Sequence, residues 1–275
     1  METENNCTAC TPGHYCAQTG LRNVTGLCSS GYWCESKATT DTPSSNGDKF
    51  GPCPSGGYYC EEGSSSPRRC PVGRYALPGR NKLKNADECN FCLAGSYCAY
   101  GNQTEPTAKC SVGYYCLSGS SVAEPSDGVN GSKCFPGYKC PEGSPYPTSC
   151  EAGTYNNESG KGSCLDCPPG FFCTINTTAP AECPSGFYCP IKSQTATANP
   201  CPAGTFNNLT ARSSPGDCQP CTPGSYCDKP GKHLNAAYVI LIIFYGFSIS
   251  KYIARPDWLA SDALHTGRTT GLLAG

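Results

Sequence analysis

The pattern Cys-x2-Gly-x-aromatic returns twelve times between Cys10 and Cys227, its first cysteines 16 to 25 residues apart. It reads CTPGHYC at Cys10, CSSGYWC at Cys28, CPSGGYYC at Cys53, CPVGRY at Cys70, CLAGSYC at Cys92 and CSVGYYC at Cys110. It continues as CFPGYKC at Cys134, where Tyr138 comes one place early, CEAGTY at Cys150, CPPGFFC at Cys167, CPSGFYC at Cys183, CPAGTF at Cys201 and CTPGSYC at Cys221. A unit this short cannot bury a core of its own, so cross-links must do what apolar burial does in larger domains. The apolar content agrees: residues 1–234 hold only 23 Leu, Ile, Val and Phe. The 32 glycines and 25 prolines interrupt regular structure at short intervals and favour short strands joined by turns.

Within a unit, proline after the first cysteine presets a turn, and glycine at the fourth place supplies a backbone conformation that a side chain obstructs. The aromatic is then free to lie over a disulfide and keep water from it. A disulfide closing about 15 residues contributes roughly 3 kcal/mol in the chain-entropy model, and a buried aromatic about 2 kcal/mol. The predicted fold is small and disulfide-rich: an elongated rod of tandem short β-hairpin and turn modules, each touching mainly its neighbours, with little helix.

A second order lies above the repeat. Three motifs, at Cys70, Cys150 and Cys201, lack the closing cysteine, and each is followed 14 to 19 residues later by a C-x2-C-x5-C cluster beginning at Cys89, Cys164 or Cys218. Pairing Cys70 with Cys89, Cys150 with Cys164 and Cys201 with Cys218 leaves even groups elsewhere and only Cys7 unpaired. Connectivity inside the groups of six stays open among 15 arrangements. The reading divides the chain into repeat groups 1–88, 89–163 and 164–217, a partial repeat 218–231, a segment 232–254 and a tail 255–275.

Twenty-five cysteines in 275 residues is a content found in secreted disulfide scaffolds. Asn-x-Ser/Thr sequons at Asn6, Asn23, Asn102, Asn130, Asn157, Asn176 and Asn208 point to the same oxidising, extracytoplasmic setting. The N-terminal METENNCTAC has no charged n-region or apolar run, so the expectation is an incomplete N-terminus that also explains Cys7. The net charge of −1 supplies no overall basic field for nucleic acid.

The CPxG-aromatic turns, the CPAGTF…DCQPC segment and the GSYC that follows resemble the ephrin-receptor-like and TNF-receptor-like cysteine-rich repeats, over nearly all of residues 7 to 227. The resemblance implies an extracellular disulfide-linked rod of small β-modules. It carries over no catalytic or ligand residues.

After Lys232 the composition changes to AAYVILIIFYGFSI, Ala236 to Ile249. Fourteen helical residues span about 21 Å, and extension through Lys251 to Ala254 reaches about 28 Å. The expectation is a single-pass transmembrane helix over 236–254, with the cysteine-rich side outside.

Zinc is the chemical alternative, because C-x2-C pairs occur at Cys7/Cys10, Cys89/Cys92, Cys164/Cys167 and Cys218/Cys221. Successive pairs lie 54 to 82 residues apart, too far for a ribbon site. No catalytic constellation is visible: His14, His233 and His265 are isolated, Glu61/Glu62 read as a solvated loop, and Arg68/Arg69 as an exposed loop or a protease-sensitive dibasic pair. The aromatics beside cysteines read as packing groups rather than a sugar-binding ladder. The functional expectation is a non-enzymatic cell-surface or secreted structural and protein-binding rod, without cofactor or metal. The alternatives are a signalling receptor ectodomain that binds a protein ligand and, further off, a cytosolic zinc-binding protein.

Overall fold

The computed structural model describes residues 8–44 and 49–234, and beyond them the backbone of the strands Ala236–Ala237, Val239–Tyr245 and Ser248–Ala254. Among the described residues regular structure is short antiparallel hairpins, in separate two-stranded sheets, with two single-turn 3₁₀ segments at Ala86–Glu88 and Pro215–Asp217. From His14–Tyr15 to Gln219–Pro220, each hairpin joins the residues that follow a motif glycine to those that precede the next first cysteine. Tyr114–Cys116 pairs in this way with Gly131–Lys133, and Phe171–Phe172 with Ala181–Glu182. The chain forms two compact units, Met1–Cys150 with Asn156–Leu165, and Glu151–Tyr155 with Asp166–Gly275.

The same backbone ladder runs through each unit. In the first, the motif glycine donates to the closing residue of the next module, as Gly13 to Cys34 O, Gly95 to Cys116 O and Gly113 to Cys140 O. The next first cysteine donates back, as Cys28 to Gly13 O and Cys134 to Gly113 O. In the second, Gly170 donates to Cys189 O and Cys183 returns to Gly170 O. These bonds satisfy backbone groups that a two-residue strand leaves over, and they make each module part of its neighbour's structure.

Modules also touch the module after next. Gly113 has φ +86°, and a Cβ there would overlap the carbonyl of Gly160. Glycine is required twice at this place, once by the positive φ and once by the carbonyl pressed against its Cα. The residue supplying that carbonyl sits in a left-handed turn, and in the second unit the role passes to Ala211 (φ 58°), which covers Gly170.

The buried core is sulfur. Cys28, Cys34, Cys53, Cys60, Cys110, Cys116, Cys183 and Cys201 have no exposed surface, whereas Val72, Leu93, Val112 and Ile191 are exposed. The aromatic of one module covers the disulfide of the next: Tyr15 packs on Cys28–Cys34, Tyr59 on Cys70–Cys89 and Tyr75 on Cys92–Cys98. A disulfide closing a six-residue separation contributes only about 2 kcal/mol through loop entropy, so the aromatic cover and the ladder are needed beside it.

The C-terminal expectation is corrected. Residues 239–245 and 248–254 form two antiparallel strands in register from Val239↔Ala254 to Tyr245↔Ser248, not one helix. Val, Ile, Phe and Tyr dominate the segment and favour extended backbone. Among the described residues no helix is long and apolar enough to cross a membrane.

Candidate functional site

Twelve disulfides take up all the cysteines of the described residues. Where a motif has a closing cysteine, that cysteine pairs with the first one of the same motif, as in Cys92–Cys98 and Cys167–Cys173. Where it lacks one, the first cysteine reaches forward, giving Cys70–Cys89, Cys150–Cys164 and Cys201–Cys218 with Cα atoms 6.0, 5.8 and 5.6 Å apart. The two cysteines of each C-x2-C at Cys89, Cys164 and Cys218 therefore belong to different disulfides. Among the described residues no group of three or more His, Cys, Asp or Glu is placed to hold a metal ion. Asn6, Cys7 and His265 lie outside the described residues.

The vacated closing place is itself specialised. Ala76, Asn156 and Asn207 stand six residues after Cys70, Cys150 and Cys201, and all three are buried. Asn156 Nδ2 donates to Tyr138 O at 2.7 Å, and its Oδ1 accepts from Glu158 N at 3.3 Å. Asn207 repeats this with Phe187 O at 3.3 Å and Leu209 N at 3.0 Å. An amide that is both donor and acceptor ties two backbone segments where other modules use a covalent bond. Sequence reading registered a missing cysteine here; the signal for the replacement was an asparagine at the fixed sixth place.

The exposed side chains sit on loops held by this frame. Asn23, Asn102, Asn157, Asn176 and Asn208 are exposed, Asn157 and Asn208 each directly after a buried asparagine. Asn130 is partly buried, and its Nδ2 donates to Asp127 Oδ2 at 2.9 Å. Asp127 also accepts from the backbone N–H groups of Val129 and Asn130, and these hydrogen bonds, that of Asn130 first, hold its pKa below the usual carboxylate value. Asp217 is lowered likewise, first by the N–H of Ser214, at the 3₁₀ turn it caps.

The other candidates separate. His14 Nδ1 lies 3.0 Å from Pro12 O, and His233 is exposed far along the chain. Glu61 pairs with Arg68 at 2.9 Å, while Glu62 is exposed. Arg68 and Arg69 form a strand hydrogen-bonded to Tyr58–Tyr59, not a loop, because the hairpin place before a first cysteine is taken by whichever residues stand there. A paired strand is a poor fit to a protease cleft.

An open recess of about 580 Å³ is lined by Thr8–Thr11, Gln18–Val24 and Lys37–Thr39. Among the described residues its charged lining groups are Arg22 and Lys37, and no nucleophile–base pair faces it.

The geometry defines a tandem-hairpin protein held by disulfides, with variable loops on a repeated frame. Compared with protein-family models and with curated proteins, the chain has no match.

Proposed function

We propose that the chain is a non-enzymatic extracellular repeat protein, of the ephrin-receptor-like and TNF-receptor-like kind, whose frame presents loops to a protein ligand. The observation that carries this is the pairing of all the described cysteines into disulfides, most of them buried. Such a set forms and persists in an oxidising compartment. The exposed sequons at Asn23, Asn102, Asn157, Asn176 and Asn208 fit glycosylation in the same compartment. Loops of unequal length on a rigid scaffold are where binding residues collect, and the long loops after Cys34 and Cys116 are candidates.

The test is intact-mass analysis of secreted protein, with and without reductant and glycosidase. Two hydrogens gained per disulfide on reduction, a mass lost to glycosidase and no more than one alkylation before reduction, at Cys7, are expected. Alkylation of most cysteines without reductant overturns the extracellular reading.

A further inference from the structure

The disulfide Cys10–Cys16 differs from the others in its surroundings. Among the closing cysteines of the described residues, Cys16 alone is not buried; Cys34, Cys60, Cys98, Cys116 and Cys140 are. Both Cys10 and Cys16 line the open recess of about 580 Å³, and the stretches Gln18–Val24 and Lys37–Thr39 form its other walls. Asn23, the acceptor of the sequon Asn-Val-Thr, lines the same recess and is exposed. Its loop is fixed to the disulfide at the base: Thr25 Oγ1 accepts from Ala17 N at 2.9 Å, Thr25 N donates to Tyr15 O at 2.9 Å, and Cys16 N donates to Ala38 O at 2.9 Å. The modification site and the concave surface are therefore one place.

The walls carry groups suited to a sugar. Gln18, Thr19 and Thr39 supply amide and hydroxyl hydrogen bonds, and Arg22 and Lys37 supply N–H donors with no carboxylate in the lining to engage them. Leu21, 44% exposed, supplies an apolar surface for an acetyl methyl. Lys37 stands third after a closing cysteine, in the left-handed region with φ 61°. Gly63, Gly119 and Gly143 hold that place in other modules, with φ 72°, 88° and 76°. A side chain is strained there, and the other lysine so placed, Lys192 (φ 66°), binds Asp166 at 3.2 Å. Lys37 makes no ion pair among the described residues; what it lines is the recess.

We propose that the recess seats the inner sugars of an N-linked glycan on Asn23, which cover the Cys10–Cys16 disulfide as Tyr15 covers Cys28–Cys34. A tethered ligand is present at high effective concentration, so an open recess with few contacts is enough to hold it. The N-acetyl carbonyl and hydroxyl oxygens of the sugars accept from Arg22 and Lys37, which are donors only. A separate ligand entering the recess would have to displace this chain, because its attachment point is part of the wall. The proposal rests on the extracellular reading, which supplies the glycan, and goes beyond it in making the sugar at Asn23 a part of the fold.

The experiment digests the full secreted chain, folded, with an endoglycosidase that cuts between the inner sugars, and maps release site by site. Glycans are expected at Asn23, Asn157 and Asn208, with release at Asn23 about tenfold slower, the value for a chain seated some nine-tenths of the time. Unfolding in reductant should remove the difference. Arg22→Ala with Lys37→Gly keeps the sequon and the left-handed turn, and should bring release at Asn23 to the rate of the other two sites at unchanged occupancy. Asn23→Gln should speed reduction of Cys10–Cys16 by a small external thiol severalfold and leave Cys92–Cys98 unchanged. An unchanged number of disulfides by intact mass shows that each variant is folded. A glycan at Asn23 released as fast as the others, protection that survives the paired change, or an unchanged reduction rate overturns the proposal. Glycans at Asn157 and Asn208 with none at Asn23 overturn it and leave the extracellular reading standing; no glycan at any sequon overturns both.

Discussion

Asn156 Nδ2 reaches back eighteen residues to the carbonyl oxygen of Tyr138, at 2.7 Å, from a site with no exposure to solvent. Removing a buried partner costs about 1–3 kcal/mol, because the desolvation of the group left behind is not recovered. Asn156→Ala is expected to lower the thermal midpoint clearly, and Asn207→Ala to lower it less, its bond to Phe187 O being 3.3 Å. Differential scanning calorimetry of the two variants checks the order.

The glycines separate into two classes that one substitution distinguishes. Gly113→Ala combines a φ of +86° with overlap on Gly160 O, whereas Gly79→Ala meets a φ of +78° and open space. The first should cost well over 2 kcal/mol and the second about 1 kcal/mol. Thermal melts of the pair decide; equal losses would mean that the carbonyl contact yields without cost.

Arg74 clamps the long loop closed by Cys70–Cys89. Its Nη1 donates to Ala86 O at 2.9 Å and Cys89 O at 3.2 Å, and its Nη2 lies 3.3 Å from Asp87. The Asp87 side chain is 89% exposed, so the carbonyl bonds and not the ion pair carry the stabilisation. Arg74→Lys, which cannot fork to both carbonyls, should destabilise by about 1–2 kcal/mol. Asp87→Asn should change little. Hydrogen exchange of Glu88 and Cys89, whose amides close the 3₁₀ turn, reads both.

Acid should loosen two turns locally. Asp127 and Asp217 have folded pKa values below their unfolded ones, so their contribution is complete above the ordinary carboxylate value, near 3.8, and is lost as pH falls through the depressed folded value. Lower amide protection at Val129, Asn130 and Ser214, measured as the exchange rate relative to the intrinsic rate at the same pH, is expected below about pH 4, with the disulfide frame unchanged. NMR exchange rates at pH 6 and pH 3 test it.

The hairpins and the three long disulfides could be read from the sequence because cysteine and glycine act through fixed local spacing. The spacing of Cys92 and Cys98, by contrast, did not choose among pairings inside a group; that choice follows from the tight turn that brings them within 5.7 Å. The face that Tyr58 and Arg69 share was also hidden, since it depends on register across a hairpin and neither residue has a fixed spacing. The apolar run Val239–Tyr245 reads as helix in the sequence because a window of hydrophobicity does not separate a strand pair from a membrane span.

The contact between a motif glycine and the module after next sets an order of assembly. Cys10 and Cys16 are six residues apart and able to join as soon as both are made, yet Gly13 meets Gly63 only after fifty more residues exist. During synthesis a module can therefore be cross-linked before it is seated. The growing end then carries a trailing stretch of two hairpins whose seats on the chain have yet to be made.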